Sequence, residues 1–279
     1  MKSTRIRTQR YGHKMTSTSE QYGIQVFQIG HMEVPSCGVR ALQDFGEWEP
    51  FCYTMLVARS PQRTVVVNAG YPQDISAIVK NFQDDVHPRC NLQRDDHERV
   101  ERQLERAGVD PGEVDYLVIN PLGCYSTGRI DLFTNAAICI SRTEWMDFHA
   151  PPEHIPPSHP YELVFPPDIL RRLVVEDRHR IRLLENEDTV CPGIRVFWTG
   201  GHHRGSMAVA IDTSQGVVIY TDTIWSYSNL EKDAPIGWCR STDEYYLAVE
   251  RITKEASIIL PWADPALFDR FPEGVVVEA

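Results

Sequence analysis

The sequence has no run of about eighteen apolar residues, the least that a membrane-spanning helix needs. It has no Cys-x-x-Cys pair. Its cysteines stand at 37, 52, 90, 124, 139, 191 and 239, an odd and scattered set. That spacing argues against a disulfide framework and fits a reducing compartment. The first twenty residues are basic and rich in Ser and Thr, without the apolar stretch of a secretory signal. They are expected to be a disordered tail, and the chain is expected to be cytoplasmic. Positive charge is in deficit, with 28 Lys and Arg against 39 Asp and Glu and a net charge of −11. This balance argues against nucleic acid and anionic membrane as partners.

What is present is ordinary for a globular chain. Hydrophobic residues make up 42% of 279 positions, enough for a full core without staples. Residues 21–279 are expected to form a single domain. Tyr22 to Ile29, Phe51 to Ala58 and Thr64 to Asn68 read as strands, the last two as a hairpin across Arg59-Ser60-Pro61-Gln62-Arg63. Asp95 to Ala107 reads as one amphipathic helix, with Val100, Leu104 and Ala107 on one face and Gly108 past its end. Tyr116 to Asn120 is a short apolar run, the mark of a buried strand. Ala136 to Ile140, Arg195 to Trp198, Met207 to Asp212, Val217 to Thr221 and Ser257 to Leu260 are further strands. Arg142 to Phe148 and Glu244 to Glu255 are helices. Prolines at 151, 152, 156, 157, 160, 166 and 167 make 150–167 a linker or lid-like insertion. The charge run Arg171-Arg172 to Asp177-Arg178-His179-Arg180 reads as a solvated face. Strands interleaved with helices in both halves favour layered α/β architecture.

Four strands run into loops that carry chemistry. They are Asn120-Pro121-Leu122-Gly123-Cys124-Tyr125-Ser126-Thr127-Gly128, Thr199-Gly200-Gly201-His202-His203-Arg204-Gly205-Ser206, Thr221-Asp222, and Pro261-Trp262-Ala263-Asp264-Pro265. Active sites of layered α/β proteins gather on such loops. In this order the chain, from Tyr22 to Ala279, resembles the metallo-β-lactamase-fold superfamily, and within it the acyl-homoserine-lactone lactonases. Arg270-Phe271-Pro272-Glu273-Gly274 also resembles that branch. The resemblance implies a four-layer αββα sandwich of the α/β class.

In that family the first loop carries the ligand motif THxHxDHxG. Here Pro121, Gly123, Tyr125 and Ser126 stand at the four ligand positions. His202 matches the histidine of the second loop and Asp222 the bridging aspartate. Ala263 stands where the last histidine would be. The family's dinuclear site takes five histidines and two aspartates, and a catalytic zinc needs about three good protein ligands. His202 and Asp222 alone do not meet that need, so no metal and no cofactor are expected.

Each polar residue of these loops has a functional and a plain reading. His202 serves as acid or base, since imidazole is suited to proton transfer near neutral pH, or it only bonds within its loop. Asp222 orients His202 as a carboxylate orients a catalytic imidazole, or caps a turn. Cys124, Tyr125 and Ser126 act as nucleophile or proton donor, or fill space left by imidazoles. Asn120 supplies an amide to an oxyanion, or likewise only fills space. His203 and Arg204 contact an anionic or carbonyl group, or face solvent. Tyr227 lines the pocket wall, and Asp264 contacts substrate or holds its loop. His149, His154 and His159 recur every five residues, and a replacement metal site there is set against plain surface histidines.

The expected function is a hydrolase-like or lyase-like enzyme acting without metal on a small lactone, ester, amide or related metabolite. Catalysis would rest on His202, Asp222, Tyr125 and Ser126. Substrate contacts would come from Asn120, Cys124, His203, Arg204, Tyr227 and Asp264. A catalytically inactive pseudoenzyme that binds a ligand or partner is the alternative, and an ordinary dinuclear metallohydrolase is a third reading. The expected partner is a small molecule, and a homodimer is conceivable.

Overall fold

The buried residues of Gly23–Pro35 and Trp48–Arg59 pair these segments into a long antiparallel ribbon. The computed structural model describes residues 20–153 and 165–278. In chain order the first sheet comprises β1 (Gly23–Pro35), β2 (Trp48–Arg59), β3 (Thr64–Val67), β4 (Tyr116–Ile119), β5 (Ala137–Ser141) and β6 (Ile181–Leu184). The second comprises β7 (Glu187–Cys191), β8 (Ile194–Trp198), β9 (Met207–Thr213), β10 (Gly216–Thr221) and β11 (Ile258–Pro261). The closing strand β12 (Val275–Val277) returns to β1. The seven-stranded order is β12-β1-β2-β3-β4-β5-β6, and the five-stranded order is β11-β10-β9-β8-β7.

Parallel pairing joins β3, β4, β5 and β6. Parallel strands are covered on both faces, which is why β4 and β5 read as unbroken apolar runs. The two sheets share one large core. Across it Tyr220 Oη donates to the Thr54 carbonyl at 3.0 Å, and Tyr22 Oη donates to the Pro192 carbonyl at 3.0 Å. The helix Val100–Arg106 sends Val100 and Leu104 into that core. On the far side the helix Thr242–Glu255 packs Ala248 and Ile252 on Phe197, Ala208, Ala210 and Ile219 of the second sheet. Burying a side chain such as Ile252 contributes about 1.5–3 kcal/mol. The layers are therefore helix, sheet, sheet, helix.

The expected single helix from Asp95 to Ala107 is broken. Asp96–Glu98 forms a 3-10 turn, Arg99 is extended with φ −62° and ψ 138°, and the α-helix starts at Val100. The cause is Glu98, which is buried and accepts from Gln28 Nε2 at 2.5 Å and Asp95 N–H at 2.7 Å, with His31 Nδ1 at 2.9 Å. These tertiary partners hold the turn against helical continuation. β6, β7 and β12, which have weak patterns of their own, were not anticipated. They are short edge or near-edge strands completed by their neighbours.

The charge run is not simply a solvated face. Asp177 is buried and pairs with Arg172 at 3.0 Å and Arg180 at 2.8 Å. Arg180 also donates to the carbonyls of Phe133 and Ala136 at 2.9 and 2.5 Å, tying the run to the sheet. Arg171 and Arg178 do face solvent. All seven cysteines are free. Residues 154–164 of the Pro-rich segment, with His154 and His159, lie outside the described residues, as does the expected tail before Glu20. Among the described residues no helix is long and apolar enough to cross a membrane.

Candidate active site

The loop after β8 owes its path to two glycines. Gly200 and Gly201 take φ +58° and +72°, in the left-handed region. A Cβ on Gly200 would lie 2.4 Å from Glu244 Oε2, and that same oxygen accepts the Gly201 N–H at 3.0 Å. The helix Thr242–Glu255 thus anchors the loop that presents His202 and His203.

Asp222 directly follows β10 and is fully buried. Its Oδ2 lies 3.1 Å from His202 Nδ1 and accepts from Ser206 Oγ at 2.5 Å. Burial pushes this carboxyl up to about 6, against the pull of His203, Ser206 and Asn120. The His202 and His203 rings meet edge to face, with centroids 4.2 Å apart.

His203 belongs to a second carboxylate. Its Nδ1 lies 3.5 Å from Glu144 Oε1, and its Nε2 lies 3.4 Å from Tyr125 Oη. Glu144 sits in the first turn of the helix Arg142–His149 and is buried. Its Oε2 accepts the Leu122 N–H at 2.8 Å, while Oε1 makes no aligned hydrogen bond and lies 3.5 Å from His203 Nδ1. Burial pushes the Glu144 carboxyl up to about 8, and the nearby Asp222 charge adds to this. Burial likewise lifts the Tyr125 phenol well above its ordinary range.

A cavity of about 380 Å³ opens beside these groups. Phe51, Tyr53, Phe82, Trp225 and Trp262 line it together with Tyr125, His202 and His203, and Asp85, Trp238 and Arg240 are among the other residues of the wall. Tyr53 stacks on Tyr125 at 5.4 Å, and Trp262 tilts over it at 4.7 Å. The size and aromatic lining suit a small organic molecule.

The structure brings His202, His203 and Tyr125 to the cavity, with Asp222 directly behind His202. The other candidates do not line it. Ser126 is fully buried and donates to the carbonyls of Pro121 and Gly123 at 2.5 and 2.8 Å, while accepting the Gly123 N–H at 2.9 Å. Cys124 is buried, and its thiol is pushed up to about 12. Asn120 stitches β4 to β9, donating to the Met207 carbonyl at 2.7 Å and accepting its N–H at 3.0 Å; its Nδ2 also reaches Asp222 Oδ1 at 3.4 Å. Arg204 pairs with both oxygens of Asp147, at 2.7 and 2.9 Å. Tyr227 carries the Arg270 guanidinium on its ring at 3.6 Å. Asp264 accepts from Ser226 Oγ and from the N–H groups of Tyr227 and Ala266 at 2.8–2.9 Å, a turn brace. His149 stacks against Phe165 with centroids 6.0 Å apart.

Glu144 was not among the sequence candidates. An acid in a first helical turn is commonplace, and nothing local announces that its partner is His203. Among the described residues, no group of three or more His, Cys, Asp or Glu side chains is placed to hold a metal ion.

Two facing mixed sheets with outer helices, and strand-end loops converging on one cavity, define the metallo-β-lactamase fold. Solved lactonases share it. An N-acyl homoserine lactone hydrolase with the product N-hexanoyl-L-homoserine at its catalytic metal center superposes with a TM-score of 0.73. That match is 19% identical and covers 91% of this chain and 98% of the other. A quorum-quenching N-acyl homoserine lactone lactonase gives a TM-score of 0.70 at 19% identity, over 92% of this chain and 99% of that one. In sequence the chain is similar to the N-acyl homoserine lactonase of Bacillus thuringiensis, 22% identical over 188 residues, or 66% of this chain and 68% of the relative. No protein-family model matches the chain. The four-layer architecture and the likeness to the lactonase branch, both expected from the loops, are thus found.

Proposed function

We propose that this protein is a lactonase-like hydrolase that opens a small lactone, ester or amide with protein side chains alone. The observation that carries the reading is the His202–Asp222 pair at 3.1 Å beside an aromatic-lined cavity. With Nδ1 engaged by Asp222, Nε2 is the nitrogen that takes the proton of a water adding to the substrate carbonyl carbon. The buried Asp222 stabilises the imidazolium that forms. Tyr125, on the cavity wall, donates to the carbonyl or leaving oxygen. The aromatic wall favours an apolar body on the substrate.

The side chains present do not fit the dinuclear metal of the fold family. Pro121 and Gly123 offer no donor. Ser126 Oγ is committed to backbone, and the Tyr125 phenol is held in its neutral form by burial. Asp222 Oδ2 is already shared between Ser206 and His202. Two remaining donors fall short of the roughly three that a catalytic zinc requires.

The test is turnover of a panel of lactones, esters and amides by the full chain and by His202→Ala. Hydrolysis by the wild type, lost in a variant that melts normally, supports the reading. Full activity in His202→Ala overturns it. The non-donor residues at the ligand positions also favour a second reading, a ligand-binding protein without turnover. Thermal stabilisation by panel members that are never converted would establish that alternative.

A further inference from the structure

Glu144 poses a physical question that the His202–Asp222 pair does not answer. It is a buried carboxyl with one oxygen lacking an aligned hydrogen bond, a costly arrangement for a group that only fills space. It is also tightly held. A Cβ on Gly205 would lie 2.5 Å from Glu144 Cγ and 2.7 Å from its backbone nitrogen, so the histidine loop packs directly on this side chain. The Leu122 N–H fixes Oε2 at 2.8 Å and leaves Oε1 facing His203 Nδ1 at 3.5 Å. On the other side of that ring, Nε2 faces Tyr125 Oη at 3.4 Å, and Tyr125 lines the cavity.

We propose that Glu144, His203 and Tyr125 form a second proton path, which delivers a proton to the substrate oxygen while His202 and Asp222 act on the attacking water. This rests on the hydrolase reading above. Glu144 is a positioning residue and proton reservoir, and Tyr125 is the member that touches substrate. In the step, the Tyr125 O–H bond breaks as an O–H bond forms on the leaving alkoxide. His203 Nε2–H refills the phenol, and the Glu144 carboxyl proton moves to His203 Nδ1. One proton leaves Glu144 and one arrives on the product. The cycle closes when His202 releases the proton taken from water and one proton returns along the path from the cavity: Tyr125 takes it up and passes its own to His203 Nε2, while the Nδ1 proton goes back to Glu144. Separations of 3.4 and 3.5 Å are long for hydrogen bonds, and such contacts tighten when substrate is bound.

The test has a spectroscopic arm that needs no substrate. In ¹⁵N NMR of histidine-labelled protein, Glu144→Gln should move the Nδ1 resonance of His203 and Tyr125→Phe its Nε2 resonance, with His202 shifting less in each. Both variants nearly conserve shape, and a melting curve shows that each is folded. Unmoved His203 resonances in either folded variant overturn the path. In the kinetic arm, on any substrate the wild type converts, each variant should lose about a hundredfold in kcat with KM within about twofold. Retained kcat in both also overturns it. If the wild type converts nothing, the hydrolase reading fails, while the NMR arm still decides whether the three groups are coupled.

Discussion

Asp222 Oδ2 stands 3.1 Å from His202 Nδ1, and Ser206 Oγ donates to the same oxygen at 2.5 Å. The carboxylate therefore sets both the position and the tautomer of the imidazole. Replacing Asp222 with Asn keeps the shape but offers an amide that can face Nδ1 with its donor. Asp222→Asn should lower kcat by about 10²–10⁴-fold with little change in KM, read by steady-state kinetics. Unaltered kcat would remove Asp222 from the mechanism.

Buried carboxyls tie stability to pH. Asp222 is raised from 3.8 to about 6, and Glu144 from 4.5 to about 8. Each binds its proton more tightly in the folded state, so each contribution is complete below the unfolded value and is lost as pH rises through the folded one. The melting temperature should fall by several degrees between about pH 5 and pH 8.5. Glu144, which faces His203 and feels the charges of Asp222 and Asp147, accounts for the upper part of that window. Glu144→Gln should flatten it, and an equally steep fall in that variant would contradict the assignment.

Ser126 is placed as framework. Its hydroxyl joins Pro121 to Gly123 and is fully buried. Ser126→Ala should cost about 1–2 kcal/mol in denaturant unfolding while kcat stays within about threefold. A large loss of kcat at normal stability would return Ser126 to the chemistry.

Metal content gives a fourth check. Protein purified without chelator should carry well below one zinc or iron per chain, and a chelator should leave its melting temperature unchanged. Stoichiometric metal that supports activity would show that other groups complete a site.

The sequence made the strand-end loops legible because strands of four to seven residues closed by Gly, Pro and Asp leave a strong local pattern. It also placed His202 beside Asp222, through the order of the loops in the resembled family. It could not place Glu144, whose role depends on a loop far along the chain. Nor could it gather Phe51 and Tyr53 of β2 with Trp225 and Trp262 around one cavity, because strand pairing and sheet packing bring them together. The break at Arg99 was hidden for the same reason, since Glu98 answers to His31 and Gln28 rather than to its own helix. The burial of Ser126 was not legible from residue type, as a hydroxyl in a strand-end loop can face a cavity or close a turn, and here it closes the turn.

The Glu144 oxygen that makes no aligned hydrogen bond has a consequence for how this sequence can drift. A neutral amide of the same size, which keeps an acceptor for the Leu122 N–H, is expected to relieve the burial cost of that carboxyl. A lineage kept only for its shape, or only for a ligand held by the aromatic wall, would shed that carboxyl early. One that must move protons through the cavity would hold it against a steady pull toward Gln, which still accepts the Leu122 N–H. On the proton path proposed above, the identity of this one position in sister sequences is expected to follow whether they keep that path.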